Sequence, residues 1–238
     1  MIEIRHTKDT RSTYNHIYTG EAINQMDSFF LWILSLLNLR PEQWLLDIST
    51  GRGKMVELAG QQRINTYGID FSLVACVLAA RNSPGSITCG DGQLLPYADN
   101  TFDAVTNLGS LEHFENMESG VREMARILKP AGLACLTVPN SFGLFWNVSS
   151  AWQTGDVDDD GQPLQRYGTR RQWEKLLNAN DLHVTQVLGY EHEHAFPRTW
   201  QDARRYWFRP IRTIRMLVAP HLPVNIAGQF VFLCHKRK

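Results

Sequence analysis

From Trp44 onward, short apolar runs alternate with stretches of helical periodicity. Trp44–Ile48, Thr66–Asp70, Ser86–Cys89, Ala104–Leu108 and Leu133–Val138 read as strands. Met55–Gly60, Ser72–Ala80 and Gly120–Leu128 between them read as helices. Such alternation predicts an α/β fold, a mostly parallel sheet with helices on both faces. Ahead of it come a loose arm of about a dozen residues, a helix through Tyr14 and Tyr18, and a second helix over Ser28–Asn38. Asp27 or Ser28 can cap that second helix, and Pro41 stops it. Behind it, Tyr167–Asn180 reads as helix, while His183–Gly189 and Gly228–His235 read as the last two strands. Two segments break the order: Ser141–Arg166, rich in Gly, Ser and Asp with Trp and Phe interleaved, and Tyr190–Pro223, aromatic and basic.

At 238 residues the expectation is one domain carrying insertions. Lys plus Arg equals Asp plus Glu at 24 each, so no whole-chain field draws the protein to nucleic acid or membrane, and any electrostatic recognition is local. The four cysteines form no C-x-x-C pair and are expected as reduced thiols. The most apolar stretch, Phe29–Leu37, is far shorter than the roughly 20 residues that span a bilayer. With no secretory signal at the start, a cytoplasmic location is expected.

Leu45 to Lys54 is an apolar strand entering a small-residue turn, Asp47-Ile48-Ser49-Thr50-Gly51-Arg52-Gly53, and then a helix. Small residues let backbone approach a ligand, and the helix start offers free N–H groups to an anion. Alone, such a turn serves strand–helix packing equally well. The next strand, however, ends in Asp70, 23 positions after Asp47, near the spacing at which a carboxylate reaches ribose hydroxyls. The third strand ends in Gly90-Asp91-Gly92. Acidic residues at successive strand ends are harder to assign to turn chemistry than any one of them.

The order of segments resembles the class I S-adenosylmethionine-dependent methyltransferases, in the branch of small-molecule and ubiquinone-type enzymes. Phe102-Asp103-Ala104-Val105, Leu111-Glu112-His113-Phe114, Glu123 to Gly132 and Val138-Pro139-Asn140 carry the resemblance, which extends over about Trp44–Tyr190. It implies a Rossmann-like seven-stranded sheet with its last strand antiparallel, an N-terminal helical lid (1–40), a cofactor core (41–140) and acceptor-side insertions (141–166, 190–225). It further implies that S-adenosylmethionine is held by Asp47, Gly51 and Gly53 at the methionine and ribose, by Asp70 at the ribose, and by Asp91 with Gly92 at adenine, with Phe71 also among the cofactor-binding residues. Asn107 and Leu108 would lie beside the reacting methionine, and Tyr18 would close over it. Where the family has its first turn glycine, this chain has Ser49, and Lys54 follows the last; the Ser49 hydroxyl is expected to donate to the methionine carboxylate.

Methyl transfer from a sulfonium is an in-line displacement, so positioning dominates and a base is needed only where the acceptor loses a proton. His113 is the candidate base; Glu112 and His113 could instead merely brace the loop. In Glu191-His192-Glu193-His194, alternate residues on a strand supply at most two ligands to one side, so a solvated strand end is expected, not a metal site. Asp156–Gly161 imitates a calcium loop but has Tyr167 at the twelfth position, and is expected to be a solvated turn.

The acceptor is assigned to Tyr14, Trp146, Trp152, His192 and Arg205. Tyr14 and Tyr18 share a helix face and either close a lid or pack on the helix from Ser28. Arg198, Arg204, Arg205, Arg209, Arg212 and Arg215, interleaved with aromatics, suit an acidic group on the acceptor or an anionic membrane surface, or equally form a solvated helix face paired to acids elsewhere in the chain. Nucleic acid is disfavoured because Asn107-Leu108-Gly109-Ser110 lacks the Asn-Pro-Pro-Tyr type sequence of enzymes that methylate base amino groups. A dinucleotide oxidoreductase is disfavoured because Val56 stands where a third glycine is required. A non-catalytic cofactor-binding partner and an RNA methyltransferase remain alternatives, and a monomer or homodimer is expected.

Overall fold

The computed structural model describes the chain except residues 8, 21–24, 84, 192–196, 205, 208 and 238, and the side chains of 211, 212 and 215. His192 and Arg205, both expected at the acceptor, lie outside the described residues. The elements run β1 (Ile2–Arg5), α1 (Thr10–Thr19), α2 (Asp27–Leu37), β2 (Trp44–Ile48), α3 (Lys54–Gln61), β3 (Asn65–Asp70), α4 (Leu73–Asn82), β4 (Ser86–Cys89), β5 (Phe102–Leu108), α5 (Met117–Ile127), β6 (Leu128–Pro139), α6 (Ser149–Thr154), β7 (Leu164–Tyr167), α7 (Arg170–Ala179), β8 (Leu182–Tyr190), α8 (Trp200–Arg204), α9 (Pro210–Val218) and β9 (Gln229–Lys236).

Seven strands form one sheet in the order β4-β3-β2-β5-β6-β9-β8, parallel except for β9, which is antiparallel to both β6 and β8. Both faces are buried. Leu46, Ile48, Phe230 and Phe232 pack with α5 and α7 side chains such as Met124 and Trp173. Their neighbours Leu45, Val231 and Leu233 point the other way, onto Phe29, Ile33 and Leu34 of α2 and Met55 of α3. This period-two division within continuous apolar runs is what a sheet covered on both sides requires. Helix starts carry local caps: Ser72 accepts from Ala75 N–H, and Thr169 forms a capping box with Gln172.

Two expectations fail here. The loose arm contains β1, which pairs antiparallel with β7 in a separate two-stranded sheet, with Ile2 opposite Tyr167 and Arg5 opposite Leu164. Arg166 reinforces the pairing through a 2.7 Å ion pair with Glu3. Tyr167 is accordingly strand, and the following helix starts only after the Thr169 cap.

Candidate active site

The carboxyl ends of the parallel strands open into a cavity of about 590 Å³, the size of pockets that hold small ligands. The turn after β2 forms its floor. Ser49, Gly51 and Gly53 take φ of 60°, 56° and 78°, a left-handed run in which only Ser49 carries a side chain. A Cβ on Gly51 would stand 3.0 Å from the Tyr18 hydroxyl oxygen, and one on Gly53 would strike the Ala79 backbone at 3.0 Å. Gly51 therefore leaves room for Tyr18 of α1 against the floor, whereas Gly53 lets α3 start against α4.

Asp70 ends β3 in the cavity wall. Its carboxylate accepts from Gly51 N–H at 2.9 Å and Ser72 N–H at 2.8 Å, so floor and acid are fixed relative to each other. Burial raises its pKa. Asp47 is buried as well and accepts from the Thr106 hydroxyl at 2.6 Å; burial pushes its carboxyl up to about 6. Asp91 lines the cavity while accepting from Gln93 N–H at 2.8 Å. Lys54, just past the turn, is neutralised by Glu57 at 2.8 Å and Asp27 at 3.6 Å.

Helix α1 lies over the opening, packed on α4. Asn15 accepts from the Ser72 hydroxyl at 2.7 Å, and the Arg11 guanidinium sits 4.2 Å above the Phe71 ring. Arg52 reaches back from the turn to the Gly20 carbonyl. Tyr18 thus faces the glycine turn, and Tyr14, one helical turn earlier, faces the far end of the cavity. There the Tyr14 hydroxyl donates to Gln162 at 3.0 Å and its ring meets His113 edge-on, 6.3 Å between centroids. Burial raises both phenols, so each remains a hydroxyl at neutral pH.

Ser110, His113, Phe114 and Glu115 close this far end. His113 Nδ1 bonds the Leu164 carbonyl on β7. A carbonyl only accepts, so Nδ1 carries the hydrogen and Nε2 the lone pair. Burial holds the imidazole pKa below its ordinary value, and it pushes the adjoining Glu112 carboxyl up to about 8. Both groups are then neutral at pH 7. Glu112 Oε1 lies 3.9 Å from His113 Nε2, and neither Glu112 Oε2 nor the Ser110 hydroxyl has a hydrogen-bond partner among the described residues.

The cavity wall thus holds Tyr14, Tyr18, Asp47, Ser49, Gly51, Asp70, Phe71, Asp91, Gly92, Leu108 and His113 of the expected residues. Gly53 and Asn107 stand behind it, Asn107 fully buried with its amide 3.5 Å from the Ile48 carbonyl. Two acceptor candidates lie outside this lining. Trp152 is 87% exposed on α6, away from the lining. Trp146 donates its indole N–H to Glu191 at 3.2 Å, and the same carboxylate accepts from Gly228 N–H. Glu191 is consequently buried, not a solvated strand end. None of the described arginines of the 198–215 insertion lines the cavity; Arg52 does. Gln162, Phe29 and Phe30 line it with no signal in the sequence to announce them, since nothing local tells a pocket glutamine or phenylalanine from any other.

Residues 46–136 match the family described as "Methyltransferase domain". A demethylmenaquinone methyltransferase of Corynebacterium urealyticum is 38% identical over 96 residues, 40% of this chain and 41% of that relative. The corresponding enzyme of Desulfitobacterium hafniense is 33% identical over 141 residues, 52% of this chain and 55% of the relative. The chain therefore matches about half, or less, of these relatives' length. Among solved structures, the [4+2]-cyclase SpnF superposes with TM-score 0.69 at 19% identity over 98% of both chains. A TehB-like SAM-dependent methyltransferase of Corynebacterium glutamicum gives 0.57 at 11% identity, covering 95% of each. At such identities the structures speak for the fold, and the sequence match speaks for the family. The match over residues 46–136 is to a methyltransferase domain, whose methyl donor is S-adenosylmethionine, and the fold around it is the one such domains adopt. The donor set fits that cofactor: a fixed carboxylate at Asp70, a side-chain-free approach at Gly51, and Asp91 beyond.

Proposed function

We propose that the protein transfers a methyl group from S-adenosylmethionine to a hydroxyl or amine of a small ring-bearing acceptor, comparable in shape to the demethylmenaquinone named for its relatives. The observation that carries this reading is the division of one cavity by two lid tyrosines. Tyr18 stands with Gly51 and Asp70; Tyr14 stands with His113 and Gln162. The first half suits a nucleoside and the second a flat acceptor edged by aromatic rings.

The cofactor, when bound, supplies an electrophilic methyl on a sulfonium. The chain's contribution is placement: the turn and Asp70 fix the donor, and α1 covers it and excludes water. Tyr14 and Gln162 orient the acceptor. His113, neutral and protonated on Nδ1, presents Nε2 to receive the acceptor's proton. Calorimetric titration with S-adenosylhomocysteine, followed by methyl-transfer assays on flat ring compounds bearing a hydroxyl or an amine, tests this. His113→Gln should leave the titration unchanged and cut turnover on the order of a hundredfold. No heat with S-adenosylhomocysteine, or undiminished turnover in that variant, would refute the respective half of the proposal.

A further inference from the structure

Outside the cavity lining, the segment from Arg198 to Val218 exposes a combination of apolar and basic side chains. Trp200 is 71% exposed and Trp207 59%, their rings in edge contact with centroids 6.0 Å apart. On α9, Ile214, Leu217 and Val218 are exposed at i, i+3 and i+4, hence on one helical face turned to solvent. Isolated apolar residues on a surface are ordinary, but five large ones within a single short segment are not.

The described exposed charges of the segment have one sign. Arg198, Arg204 and Arg209 are exposed, and none forms an ion pair with an acidic side chain among the described residues. The segment's own acid, Asp202, is buried and spent elsewhere: it accepts from Ser28 N–H at 2.8 Å and from the Ser28 hydroxyl at 2.7 Å. Arg198 N–H donates to the same hydroxyl at 2.7 Å, and the Tyr206 hydroxyl contacts Met26 sulfur at 3.7 Å. The segment is thereby anchored to the start of α2, whose next residues, Phe29 and Phe30, line the cavity.

We infer that this segment docks the protein onto an anionic lipid surface, with Trp200, Trp207 and the Ile214–Leu217–Val218 face entering the headgroup boundary and the arginines meeting lipid phosphates. Tryptophan suits that boundary because its ring is apolar and its N–H polar. A short helix with an apolar face and neighbouring cations lies in the interface plane without spanning it. A nucleic acid would use the arginines and the indoles but offers nothing to the aliphatic face. The anchor at α2 puts the contact beside the cavity wall formed by Phe29 and Phe30, so an apolar acceptor could enter from the lipid side. The docking itself does not depend on the proposed reaction.

Flotation of the full chain with vesicles tests it, using phosphatidylcholine alone and phosphatidylcholine with added phosphatidylglycerol. The expected result is binding to the anionic vesicles only, weakened by salt. Arg204→Gln combined with Arg209→Gln should weaken it roughly 30-fold, about fivefold per arginine. Trp200→Ala with Trp207→Ala, and separately Ile214→Ser with Leu217→Ser, should each lower binding at least about tenfold, while Trp152→Ala on α6 leaves it unchanged. Two sets on different elements keep the test decisive if one of them misfolds, which near-ultraviolet circular dichroism would show. Failure to bind either vesicle overturns the inference. So does binding that survives both sets, or concentration-dependent dimerisation abolished by them without any vesicle binding, which would assign the patch to a second copy. Retained S-adenosylhomocysteine binding in the non-floating variants keeps this result separate from the fate of the proposed reaction.

Discussion

Glu112→Gln is the perturbation that most directly tests the electrostatics of the acceptor end. The carboxyl is fully enclosed, its Oε2 unpartnered among the described residues, and burial holds its folded-state pKa near 8 against 4.5 in the unfolded chain. Between those values the folded state binds a proton that the unfolded state has released, so stability falls as pH rises. Each pH unit in that window costs about 1.4 kcal/mol, which amounts to roughly 3 kcal/mol at pH 7 and approaches about 5 kcal/mol above pH 8. Glutamine cannot ionise and lacks the cost. Its buried amide needs partners much as the protonated acid does, so that penalty is similar at every pH and cancels from the trend. Urea unfolding followed by tryptophan fluorescence at pH 5, 6.5 and 8 should show the variant gaining on the parent by about 1.4 kcal/mol per unit. Asp47, which titrates lower, is common to both proteins and drops out. A flat difference, or one running the other way, would refute the reasoning. It would mean that Glu112 is ionised and paired across the 3.9 Å gap with a protonated His113.

Three further predictions concern the cavity. Asp70→Asn turns an NH2 towards one of two backbone donors, Gly51 N–H or Ser72 N–H, and should cost about 1–3 kcal/mol of stability and at least about tenfold in S-adenosylhomocysteine affinity, read by calorimetry. Ser49→Gly removes a side chain from a left-handed position, so stability should hold or rise by up to about 1 kcal/mol; if its hydroxyl holds the methionine carboxylate, affinity still falls about fivefold. Tyr14→Phe and Gln162→Ala break one 3.0 Å hydrogen bond from either side, so each should raise the acceptor KM by a similar several-fold factor and the double variant should be little worse than either alone.

What was legible in the sequence follows from the range of the interactions involved. The strand, turn and helix that carry Asp47, Ser49 and Gly51 form a contiguous run, and the same holds for Tyr67 to Ser72 and Gly90 to Gln93. A pattern confined to ten residues shows itself without the fold. The acceptor end is built from distant pieces: Tyr14 meets Gln162 148 positions away, and His113 bonds Leu164 51 positions away. β1 has no local signature either, because its partner β7, at Leu164–Tyr167, is remote from it in sequence. Long-range pairing also accounts for Gly53, whose reason is the backbone of Ala79 rather than a ligand.

The tryptophans make the same point through energetics. Trp146, Trp152, Trp200 and Trp207 all sit in the two aromatic insertions, and composition alone cannot rank them. Burying an indole demands an acceptor for its N–H, and Glu191 supplies one for Trp146, which removes that ring from the cavity. Trp152 stands exposed on α6 with no cluster of exposed arginines in its helix. Trp200 and Trp207 are exposed among arginines that no acid of the described chain neutralises, which makes their surroundings, not their type, the argument for a lipid-facing role. The core that holds the methyl donor needs one geometry whatever the acceptor, so its residues recur as a pattern. The acceptor side and the docking side answer to a molecule outside the chain, and there residue type becomes informative only once burial and charge around it are known.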